Sequence, residues 1–125
     1  MAIFYLMSAE DPAILKIYAK RAGVLSVTKD DILGGNAGLG KKYHPNRIYV
    51  VDSNSMMLTA ISGIITKEAQ DTGTTDPRVH AYDPLTALAN FPSERPDVVV
   101  TAWQMKEIYG INGDELILIM REMEK

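Results

Sequence analysis

Residues 96–103 read PDVVVTAW, and Asp97-Val98-Val99-Val100-Thr101 within them is the most strand-like segment of the chain. Consecutive β-branched residues with no polar alternation describe a strand buried on both faces, the pattern of a parallel sheet. Working outward, four more short runs are of the same kind: Ile3-Phe4-Tyr5-Leu6-Met7, Val24-Leu25-Ser26-Val27, Arg47-Ile48-Tyr49-Val50-Val51 and Arg78-Val79-His80-Ala81-Tyr82. Helical patterns separate them. Asp11 is a natural N-cap with Pro12 in the first helical position; Ile14, Leu15, Tyr18 and Ala22 form a stripe that Gly23 ends. Ser53 or Asn54 opens a helix striped by Met57, Ile61, Ile64 and Ile65, and Asp83-Pro84 opens one carrying Leu85, Leu88 and Phe91. A last helix from about Asn112 presents Leu116, Ile119, Met120 and Met123. The alternation predicts one α/β domain over residues 1–125, a five-stranded parallel sheet with helices on both faces.

Composition narrows the function classes. The chain has no cysteine, which removes thiol nucleophiles, disulfides and thiolate metal sites and suits a cytoplasmic protein. A formal charge of −3 gives no basic excess for nucleic acid. No apolar run has the length of a membrane span and no signal peptide is visible, so no membrane partner is expected. His44 and His80 are isolated, without partners at metal-ligand spacing, and no metal or other cofactor is expected. The methionines at helical spacing read as core or interface.

Residues 34–42, GGNAGLGKK, place Gly35, then four residues, then Gly40 and Lys41, most of a phosphate loop. Lys42 stands where that motif needs Ser or Thr, and Pro45 follows where a helix would need backbone donors. A glycine-rich connection is the plainer reading. Residues 30–46 are therefore expected to be a mostly irregular linker, with a turn or two of helix near Asp30-Asp31-Ile32-Leu33.

Sites in parallel α/β sheets form at the carboxyl ends of the strands. Those ends carry Ser8-Ala9, Thr28-Lys29, Asp52-Ser53 and Ala102-Trp103-Gln104-Met105. Together they resemble the receiver domain of two-component response regulators, a flavodoxin-like fold, in rotated order. VVDSNSMM resembles the receiver's first strand and acidic corner, and PDVVVTAWQMKEIYG its phosphoacceptor strand and following loop. FYLMSAED resembles the fourth strand ending in Ser/Thr-Ala, and AGVLSVTKDD the fifth ending in the family's lysine. Residues 1–29 thus look like the receiver's later part and residues 47–125 its earlier part, a circular permutation. The receiver's last helix is missing or replaced by the 30–46 linker. The implied spatial order runs through residues 78–82, 47–51, 97–101, 3–7 and 24–27.

The resemblance also implies what is lost. The phosphoacceptor position falls on Ala102, which cannot be phosphorylated, so no catalytic residue is expected. Of the acidic pair that holds magnesium, Asp52 remains as a weak remnant beside Ser53. Ser8, Lys29 and Gln104 persist as pocket remnants, and the aromatic switch position falls on Ser26. Simpler roles remain open for these residues: Asp52, Ser53 and Asn54 as a helix cap, Lys29 as the counter-ion of Asp52, Trp103 as loop packing. The leading expectation is a non-enzymatic pseudo-receiver that signals through contact with a signalling protein or another receiver-type domain. Alternatives are a small-anion or nucleotide binder using Gly35–Lys42 or the strand-tip cleft, and an engineered or excised receiver piece. A homodimer is expected as well, because a missing last helix would leave the sheet face near residues 47–51 and 24–27 partly uncovered.

Overall fold

The computed structural model describes residues 1–9 and 11–125. Five strands form one sheet: β1 (Ile3–Ser8), β2 (Leu25–Thr28), β3 (Ile48–Val51), β4 (Val79–Tyr82) and β5 (Val98–Ala102). All pairings are parallel, and the spatial order is β2-β1-β5-β3-β4. This is the order expected above, and it is compatible with a flavodoxin-like sheet. β5 lies at the centre and is buried along its whole length, as its unbroken valine run requires.

Seven helices occur among the described residues: α1 (Pro12–Ala22), α2 (Lys29–Leu33), α3 (Leu39–Tyr43), α4 (Ser55–Asp71), α5 (Pro84–Glu94), α6 (Lys106–Tyr109) and α7 (Gly113–Glu124). On one face α7 packs between α1 and α5; on the other, α4 packs with α2 and α3. The helix starts follow the local chemistry read from the sequence. Asp11 accepts from the Ala13 amide at 2.9 Å, with Pro12 next to it, and Gly23 ends α1 in the left-handed region at φ 68°. Asn54 accepts from the amides of Met56 and Met57 at 3.0 and 3.1 Å, which resolves the Ser53/Asn54 choice. Asp83 accepts from the Thr86 amide at 2.8 Å, and Asn112 forms a capping box with Glu115.

The turn of helix expected near residues 30–33 is α2, but the irregular reading of the rest of the segment is corrected: it holds α3, and Ile32, Leu39 and Tyr43 are buried in the core. Thr28 opens α2 by accepting from the Asp31 amide at 3.0 Å. Gly40 lets α3 lie directly on α4, since a Cβ there would fall 2.1 Å from the Ile65 carbonyl oxygen. At its end the Tyr43 hydroxyl meets that of Tyr5 on β1 at 2.7 Å. Two short helices thus cover the sheet face that a missing last helix would expose, so that ground for association disappears. No helix among the described residues is long and apolar enough to cross a membrane.

Candidate functional site at the strand tips

Parallel pairing brings the carboxyl ends of β1, β2, β3 and β5 to one rim. β5 delivers Ala102, the pairing partner of Met7, and β1 delivers Ser8 one residue beyond Met7. Lys29 follows β2 directly as the first residue of α2, and Asp52 follows β3. Ser8, Lys29, Ala102 and Gln104 line one small cavity of about 90 Å³, together with Met7, Ala9 and Trp103.

Asp52 closes this rim from the β3 side. The Lys29 ammonium sits 3.0 Å from Asp52 Oδ2, with side-chain exposures of 15% and 2%. Its other oxygen, Oδ1, accepts from the Asn54 amide at 3.0 Å, and its own amide donates to the Tyr82 carbonyl at 3.2 Å. Both simpler roles read from the sequence are therefore real: Asp52 orders the turn into α4, and Lys29 is its counter-ion. A carboxylate this deeply buried needs such compensation.

At the β5 tip the Ala102 methyl is buried and offers neither a nucleophile nor a metal ligand. The Gly113 amide donates to the Trp103 carbonyl at 2.7 Å, and a Cβ on Gly113 would fall 2.1 Å from the Ala102 carbonyl oxygen. The start of α7 is thus pressed against this tip. Asn112 fixes the intervening turn by accepting from the amides of Met105 and Lys106 at 3.1 and 3.0 Å. Trp103 packs at a tilt against Tyr18 of α1, ring centroids 4.2 Å apart, with Arg21 over the Tyr18 ring.

Ser53 faces two neighbouring cavities of about 420 and 320 Å³, one with Gln104 and Asn112, the other with Asp52, Tyr82 and Asp83. Ser26 lies apart from the small tip cavity. It lines a separate groove of about 520 Å³ between α1 and β2.

The glycine-rich stretch does not make a phosphate loop, which corrects that candidate. Gly35 sits past the end of α2 at φ 77°, Gly40 is buried in α3 against α4, and Lys41 is exposed. A helix precedes the segment where a phosphate loop needs a strand. The Gly40 amide already faces a carboxylate, Glu68 Oε1 at 3.3 Å.

One polar cluster was invisible in the sequence because its members are far apart in the chain. Tyr49 and Tyr82 both donate to Glu94 Oε1, at 2.7 and 2.8 Å, and His80 Nε2 lies 3.7 Å from Glu94 Oε2. Arg47 donates to the Glu94 backbone carbonyl. Burial pushes the Glu94 carboxyl up, but the two hydroxyls, His80 and Arg47 together outweigh it and hold the group below its usual range. Tyr49 is driven well above the ordinary tyrosine value by burial and by this carboxylate. The cluster ties β3 and the edge strand β4 to the end of α5. No group of three or more metal-ligating side chains occurs among the described residues. No family model, curated protein or solved structure matches the chain.

Proposed function

We propose that this chain is a circularly permuted, receiver-like module that acts in cytoplasmic signalling by binding another signalling protein or receiver-type domain, without itself being phosphorylated. The observation that carries the reading is the tip assembly. Ser8, Lys29 and Ala102 surround one cavity, with Asp52 tied to Lys29 at 3.0 Å, where the resemblance predicts a phosphoryl pocket. Covalent transfer needs a nucleophile at that point, and a methyl group occupies it. Magnesium binding favours carboxylates with room for water, whereas Asp52 is buried and paired with Lys29. In a phosphorylated receiver the lysine would serve the phosphoryl group; here Asp52 holds it, so the rim has one resting arrangement for a partner to read.

Thermal melting with magnesium and beryllofluoride, a phosphoryl mimic, tests this. The expected midpoint is unchanged by either alone or by both together. A rise that requires both would show a working phosphoryl pocket and overturn the reading.

A further inference from the structure

We propose that a second copy of this chain docks across the α1–α7 face, with the two-fold axis running along the groove between these helices. This goes beyond the functional reading and does not depend on it. Both helices return antiparallel to the strands, so they run parallel to each other. Arg121 of α7 donates to the Ala22 and Gly23 carbonyls at the end of α1, at 2.6 and 2.9 Å, which sets the helices side by side and nearly level.

Their outward faces carry matched apolar residues and opposite charges. Opposite buried Leu15 and Ala19, α1 presents Ile17, 52% exposed, flanked by Lys20 and Arg21. Opposite buried Leu116 and Met120, α7 presents Leu118, 57% exposed, flanked by Glu115 and Glu122. Ile14 and Ile119 widen the apolar strip. Neither Lys20 nor Arg21 has an ion-pair partner among the described residues, and the pair of Glu122 with Lys125 at 2.9 Å is largely exposed.

A single copy cannot bring these faces together, because they lie beside each other and point the same way. A rotation of 180° about the groove can. It lays α1 on the partner's α7 and α7 on the partner's α1, both parallel. Ile17 and Leu118 are each the sixth residue of their helix, so Ile17 meets the partner's Leu118; Lys20, the ninth residue of α1, then meets the partner's Glu122, the tenth of α7. Each contact occurs twice. Charge complementarity therefore selects a second copy over an unrelated apolar partner, and it predicts weaker association at high salt.

Sedimentation velocity at tens of micromolar protein and low salt tests the arrangement, with circular dichroism confirming that each variant is folded. The unaltered chain should sediment as a dimer of the 13.8 kDa subunit. Lys20→Glu alone and Glu122→Lys alone each place like charges at both symmetric contacts and should weaken association about tenfold or more. Mixing these two variants restores opposite charges at both contacts and should return a dimer of one copy of each. Leu118→Asp should give monomer. Monomeric unaltered protein throughout, a dimer indifferent to Leu118→Asp, or no rescue in the mixture would each overturn the proposal.

Discussion

Asp52 is the residue on which the rim depends. It is almost fully buried, and its charge is met by one ammonium and one backbone amide. Lys29→Met would leave that carboxylate without its counter-ion, and removing one partner of a buried pair should cost about 3–5 kcal/mol. Urea unfolding at neutral pH checks the loss; an unchanged midpoint would mean that solvent already neutralises Asp52. Glu94 sets a second expectation. Its carboxyl titrates lower in the folded chain than in the unfolded one. The stability this contributes is complete above the unfolded value of about 4.3 and is lost as pH falls through the lower folded value. Glu94→Gln should lower stability at pH 7 and flatten the decline below pH 4.5 or so. A variant with the same acid slope as the parent would place the proton linkage elsewhere, with Asp83 the next candidate, since the Thr86 amide holds its carboxyl low.

Among the elements, α3 and α4 show how closely one contact controls the second face. Gly40→Ala would drive a methyl into the Ile65 carbonyl and Glu68 Cβ, so α3 must lift. The expected cost is about 1–3 kcal/mol, the usual range for overpacking. Gly63→Ala is the control within α4: nothing lies within 4 Å of its added Cβ. It should stabilise by roughly 0.5–1 kcal/mol through helix propensity. Chemical denaturation of the two variants should therefore shift in opposite directions. If both stabilise, the α3–α4 approach is looser than these distances.

The same elements explain what the sequence could and could not disclose. Strands were legible because β1, β3 and β5 are short unbroken apolar runs, and helix starts because Asp11, Asn54, Asp83 and Asn112 each carry a capping side chain. The α3 part of the 30–46 segment was not, although Ile32, Leu39 and Tyr43 fall at helical spacing. Glycines at 34, 35, 38 and 40 interrupt that pattern, and Gly40 is a breaker in isolation but a close-packing residue once α4 is beside it. The strand-tip residues were found by position alone. Charge alone suggests the tie between Lys29 and Asp52, while its geometry comes from the fold. The Glu94 cluster gave no local signal, since its members come from β3, β4 and the end of α5.

Across the whole molecule, a five-stranded parallel sheet gathers its tips at one rim, where β5 ends in the Ala102 methyl beside Ser8 and Lys29. If that rim is a receiver pocket altered at two positions, restoring both should restore its chemistry, because Ser8 and Lys29 are already in place and a cavity lies beside Ala102. Ala102→Asp alone should regain little, since Ser53 still leaves the metal site short of a carboxylate. The direct measurement is intact-mass spectrometry of the Ser53→Asp/Ala102→Asp chain after incubation with acetyl phosphate and magnesium, beside the unaltered chain. One added phosphoryl group, at position 102, is expected on the altered chain and none on the unaltered one. A folded double variant that stays unmodified, or a phosphoryl group on the unaltered chain, would contradict this expectation.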